Sequence, residues 1–67
     1  MTLTINGSPR TLDPPVADVR SLLEALELGG KPVVVELDRE PVLPADYHAT
    51  PVRDGAELEI VTIAAGG

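Results

Sequence analysis

The sequence predicts an α+β fold, a mixed β-sheet with one helix packed across it. Three observations carry that prediction. The chain alternates apolar and polar residues near both ends, in "TLTING" and in "ELEIVTI", which is the period-2 pattern of strands buried on one face. Between them lies a single stretch whose apolar residues recur at helical spacing. With 67 residues and no cysteine, one small domain must rest on aliphatic packing, without a disulfide or a thiolate metal site.

In "TLTING", Leu3 and Ile5 face one way and Thr2 and Thr4 the other. Asn6-Gly7 follows, and because both residues tolerate positive φ the pair predicts a hairpin turn. The return strand runs through Arg10 and Leu12 and ends at Pro14-Pro15, since proline cannot donate to a ladder. In "VADVRSLLEALELGG", Val19, Leu22, Leu23 and Leu26 form one apolar stripe, with Arg20, Ser21, Glu24 and Glu27 on the other face. Asp18 suits the positive end of the helix dipole, and Gly29-Gly30 is the expected C-terminal stop.

After Pro32, the β-branched run "VVVEL" predicts a central strand buried on one or both faces. Residues 38 to 56 hold Pro41, Pro44, Pro51 and the turn Asp54-Gly55. They predict a short strand near Val42 and irregular structure around Tyr47. "ELEIVTI" then sets Leu58, Ile60 and Thr62 against Glu57, Glu59, Val61 and Ile63. The order is ββαββ, with the last strand long. A β-grasp arrangement satisfies it: the two terminal strands lie parallel in the centre and the helix lies across them. Leu3, Ile5, Leu12, Val33, Val35, Leu58 and Ile60 would then meet Val19, Leu22, Leu23 and Leu26 in one core.

Composition narrows the function. A net charge of −6, with the five cations scattered, disfavours nucleic acid, which needs clustered Lys and Arg against phosphate. No apolar run approaches the ~20 residues of a membrane span, and the N-terminus lacks the order of a signal peptide. The expectation is a soluble, cytoplasmic protein. One histidine, no cysteine and no spaced acid/base set leave little for an independent enzyme or a metal site.

The combination of "ING", "LLEAL", "VVVELDREPV", "DYH", "DG", "ELEIV" and a terminal "AAGG" resembles the ThiS family of thiamine-biosynthesis sulfur carriers, a branch of the ubiquitin-like β-grasp proteins. The similarity runs the whole length of the chain. It implies a β-grasp domain over residues 1–63 and a flexible, reactive tail over 64–67. In such a carrier the Gly67 carboxylate is the reactive group. A ThiF-like adenylyltransferase, related to the ubiquitin-activating enzymes, spends ATP to adenylate it. Sulfur from a persulfide donor then displaces AMP and leaves a thiocarboxylate, which a ThiG-like thiazole synthase uses to build the thiazole of thiamine. The resemblance implies a free monomer that binds no cofactor and is a protein cosubstrate rather than an enzyme.

The chemistry of the tail fits that role. Four extended residues at ~3.3–3.6 Å each reach on the order of 13 Å, enough to enter a partner's channel. Ala64, Ala65 and Gly66 would thread it, glycine permitting close backbone approach and leaving the carboxyl carbon unshielded. A terminus that is merely frayed is the plainer reading of the same residues. Ala65 stands where the family commonly has glycine, and Ala-Gly-Gly tails also occur in the molybdopterin synthase small subunit, the alternative pathway. A ubiquitin-like modifier, a carrier for tRNA thiolation and a passive β-grasp interaction module are further alternatives.

Other residues can be read two ways. Val61 and Ile63, opposite the expected core, form either an exposed patch that docks on a partner or a face covered by the 38 to 56 segment. Glu57 and Glu59 share a face, as a partner-facing acidic pair or a solvated edge. Tyr47 is expected to plug the irregular segment, and His48 to sit on a surface loop.

Overall fold

Thr2–Ile5 (β1) and Ser8–Thr11 (β2) form the first hairpin of the computed structural model, which describes residues 1–63. Ile5 pairs with Ser8, so the loop is the two residues Asn6 and Gly7. Their φ values of 51° and 81° are those of a type I′ turn, whose twist matches the strands it joins. Leu12 lies just past β2; it is buried, and its N–H donates to the Met1 carbonyl at 2.8 Å.

The helix α1 spans Val19–Ala25 and buries Val19, Leu22 and Leu23. Asp18 is its N-cap: the extended backbone there (φ −143°) lets the carboxylate accept the Ser21 N–H at 2.7 Å, satisfying one of the donors a helix start leaves free. That hydrogen bond, then one from the Ser21 hydroxyl, holds the Asp18 carboxyl below its ordinary value, with the Arg20 charge adding to the effect.

The helix does not end where the glycines predict. Leu28 N–H donates to the Leu23 carbonyl at 2.7 Å and Glu27 N–H to Glu24 at 3.0 Å, the two bonds of a Schellman closure. Its left-handed position is filled by Glu27, at φ 62°. Leu28 is thereby folded back against the core. Gly29-Gly30 serves the next turn instead, where Gly30 at φ 75° lets Lys31 N–H reach the Leu28 carbonyl at 3.1 Å.

Three strands follow the helix, not two, because the short strand near Val42 is a paired member of the sheet. They are Val33–Leu37 (β3), Glu40–Val42 (β4) and Glu57–Thr62 (β5). β3 and β4 join through Asp38-Arg39, both at positive φ (49° and 70°), a second tight hairpin without glycine. The stretch around Tyr47 is a 3₁₀ helix, Pro44–Ala49, and it lies against α1. Val19 N–H reaches the Thr50 carbonyl at 3.0 Å, and Val52 N–H reaches Ala17 at 3.0 Å.

The sheet order is β2-β1-β5-β3-β4. β5 is central, parallel to β1 and antiparallel to β3, which is the β-grasp arrangement. One face packs under α1, where Leu3, Leu22, Leu58, Val19 and Val35 are fully buried; each such side chain is worth ~1.5–3 kcal/mol of transfer free energy. Ile5 and Leu26, expected in the core, are partly buried at its margin, and Val52 and Ala56 complete it.

Two outcomes follow from the helix ends. Glu27→Gly should raise stability by ~0.5–1 kcal/mol in urea melts, the left-handed penalty of an L-residue less the entropy glycine adds to the unfolded chain. For Asp18, whose folded pKa is depressed, the cap contributes fully above the ordinary carboxylate value near ~4 and fades as pH falls through the lower folded value. Asp18→Asn keeps a cap that does not titrate. The thermal midpoint of the wild type should therefore fall further than that of Asp18→Asn on acidification through this range.

Candidate functional site

The side chains of β5 divide by parity. Leu58 and Ile60 enter the core, while Glu57, Glu59 and Val61 point to the opposite, open face. Ile63 continues that series one residue past the strand, where its N–H still bonds the Pro32 carbonyl at 2.9 Å. Val61 is 58% and Ile63 51% exposed, although solvent is the least favourable neighbour for either.

The same parity exposes Val34 on β3, directly across from Val61. Val35 pairs with Val42, so Leu43, the next residue, falls beside Val34. Among the described residues, Val34, Leu43, Val61 and Ile63 are the exposed large hydrophobics, and the register gathers them on one face. The 38 to 56 segment does not cover them. β4 widens the face, and the 3₁₀ helix crosses to the α1 side of the sheet. Val34 follows from the placing of Val33 and Val35 in the core, whereas Leu43 escapes a sequence reading because it lies just past a strand of three residues.

The adjoining part of this face carries three glutamates, with Arg39 lining the same groove. Glu36 lies directly opposite Glu59, and Glu57 pairs with Thr4 of β1. Like charges facing each other across a ladder cost stability. All three carboxylates are exposed, so the cost is moderated by water.

The predicted tail residues Ala64, Ala65, Gly66 and Gly67 lie outside the described residues. Tyr47 is half-buried against the core, with its hydroxyl 3.5 Å from the Val33 carbonyl, at the limit of a hydrogen bond. His48 is exposed and borders an open groove of about 630 Å³ between α1, the 3₁₀ helix and the start of β3. Among the described residues no three His, Asp or Glu side chains converge as metal ligands do, and no helix is long and apolar enough to cross a membrane.

The β-grasp sheet is matched in known proteins. A model of the ThiS family matches residues 3–67. The chain belongs to the ThiS family. The crystal structure of the thiamine biosynthesis protein (ThiS) from Geobacter metallireducens is similar at 38% identity and a TM-score of 0.84, with both chains covered in full. A solution structure of a thiamine biosynthesis protein from the same organism gives 38% and 0.83, covering 100% of this chain and 88% of that one. An uncharacterised protein of Pyropia yezoensis, ycf40, is 34% identical over 68 residues, which is 100% of this chain and 93% of the relative. The fold is the ubiquitin-like β-grasp of the ThiS family, and membership supports a role as a small sulfur-carrier protein.

Relief of the Glu36–Glu59 repulsion is directly measurable. Glu59→Lys should raise stability by ~0.5 kcal/mol at low salt by turning a like-charge cross-strand pair into an opposite one. The gain should shrink as added salt screens it.

Proposed function

We propose that this ThiS-family chain carries sulfur for the thiazole ring of thiamine on its C-terminal Gly67. The observation that carries the reading is the family match, which extends over residues 3–67 and so includes the terminal Gly-Gly. On this reading the Gly67 carboxylate attacks ATP within a ThiF-like adenylyltransferase, releasing pyrophosphate and forming an acyl adenylate. A persulfide sulfur displaces AMP, and a thiol cleaves the resulting sulfur–sulfur bond to leave the thiocarboxylate. A ThiG-like thiazole synthase then accepts the sulfur. The chain holds neither ATP nor a cofactor of its own. It presents one carboxylate through Ala64, Ala65 and Gly66, and its partners supply the catalysis.

The open sheet face supports the same reading. An apolar patch beside the point where residue 63 hands over to the tail suits a partner that must hold the body while it works on the terminus. Val61 and Ile63, joined by Val34 and Leu43, would form that docking surface. Their solvent exposure is unfavourable in the free protein and is relieved when a partner covers them.

Intact mass spectrometry after incubation with ATP, the adenylyltransferase and a persulfide donor tests the chemistry. The expected product has one terminal oxygen replaced by sulfur, and deletion of Gly67 abolishes it. An unchanged mass with an enzyme active on another carrier would rule the reading out. For the surface, Val61→Asp should lower kcat/KM for adenylation by about tenfold or more, as a charge placed in an apolar interface does. The circular dichroism spectrum should be unchanged, because that side chain already faces water.

A further inference from the structure

β1 ends at Ile5 and the chain turns away through Asn6-Gly7, while β5 runs on to Thr62. Up to that turn the two strands bond backbone to backbone. Thr4 N–H reaches the Ala56 carbonyl and Asn6 N–H the Leu58 carbonyl, both at 2.9 Å. Ladder alternation sends the N–H and C=O of Ile60 to the same side, where no strand remains to meet them. The Asn6 side chain meets both: its Oδ1 accepts from Ile60 N–H at 2.8 Å, and its Nδ2 donates to the Ile60 carbonyl at 3.0 Å. A carboxamide carries one acceptor and one donor group on a single plane, as a peptide unit does, so it stands in for the missing strand residue.

We propose that Asn6 is a positioning residue for sulfur transfer: its carboxamide clamps β5 at Ile60, fixing the presentation of Val61 and Ile63 and the point from which residues 64–67 depart. The proposal rests on the carrier reading above. Beyond Leu58 the β3 side of β5 is held by the Glu36–Glu59, Val35–Ile60, Val34–Val61 and Val33–Thr62 pairs and by the Ile63 bond to Pro32. The β1 side is held by Asn6. Without the clamp, one flank of β5 is released where the docking residues begin, and a partner must order that stretch as it binds. The cost then falls on association, not on the chemistry of Gly67.

Asparagine is suited to both tasks at this position, since it tolerates a left-handed φ of 51° and carries both hydrogen-bonding groups. That allows the turn and the clamp to be tested apart. Asn6→Gly keeps the turn and removes the side chain; Asn6→Asp keeps the turn and the acceptor but removes the donor. Two readouts are needed: the exchange rate of the Ile60 amide by NMR in the free protein, and steady-state kinetics of adenylation with the carrier as varied substrate.

In Asn6→Gly the Ile60 amide should exchange about tenfold faster, and KM should rise about five- to tenfold, as expected when one more backbone residue must be ordered on binding. The value of kcat should stay that of the wild type, because the carboxylate is unchanged. Asn6→Asp should keep most of the Ile60 protection yet also raise KM, since a carboxylate oxygen then faces the Ile60 carbonyl. A mere loss of global stability would not raise KM while the variant stays folded at the assay temperature. Unchanged Ile60 exchange in Asn6→Gly would show that the clamp does not hold β5. Faster exchange with an unchanged KM, or a fall in kcat alone, would overturn the positioning role. Failure of the wild type to be adenylated would instead overturn the carrier reading, and the positioning role with it, while Ile60 exchange would still report on the clamp.

Discussion

The parallel contact between β1 and β5 is the seam that joins the two halves of the sheet. On one side lies the N-terminal hairpin; on the other lie β3 and β4. Its register is short, Thr4 with Glu57 and Ile5 with Leu58, and it closes a loop of nearly the whole chain, which is entropically costly. The seam is therefore reinforced locally. The Asp54 carboxylate accepts the Thr2 N–H at 2.7 Å, Gly55 N–H reaches the Thr2 carbonyl at 2.8 Å, and the Asn6 side chain carries the pairing on to Ile60. α1, Leu3 and Leu58 close one core beneath it.

Much of this was legible in the sequence, and the parts that were not share a cause. The opening hairpin, the helical stripe, the central terminal strands and most of the core are set by local periodicity and by Asn6-Gly7, and the structure has them. The left-handed residues Glu27, Asp38 and Arg39 were not legible, because glycine is the signal for that conformation and here tertiary packing imposes it on other residues. The 3₁₀ helix at Pro44–Ala49 hides in a proline-rich stretch that reads as irregular. The Asn6 clamp and the pairing of Val34 with Val61 join residues far apart in the chain, and no local pattern encodes a register between distant strands. At the candidate site, Val61 and Ile63 could be placed on the outer face from alternation, whereas bringing Val34 and Leu43 beside them needed the sheet. The role proposed for Gly67 rests on the resemblance of the whole chain and not on the tail motif alone, and that residue lies outside the described residues.

Parity along β3 and β5 also separates two demands on the same short strands. Val33, Val35, Leu58 and Ile60 answer to the core, where a lost methylene is felt as a cavity. Val34, Glu36, Glu59 and Val61 answer to whatever meets the open face. Neighbouring residues are thus under unrelated constraints, and the 3₁₀ helix contributes by closing the core from the α1 side, leaving that face bare.

Tyr47 gives this arrangement an optical consequence. It is the single aromatic residue, with no tryptophan to outshine it, and it sits half-buried against the core on the α1 side, close to Val33. Its ultraviolet emission thus senses the wall of the domain away from the open face. Unfolding alters its surroundings directly, whereas a protein lacking tyrosine and tryptophan could cover the valines across the sheet and leave that emission nearly dark to the event.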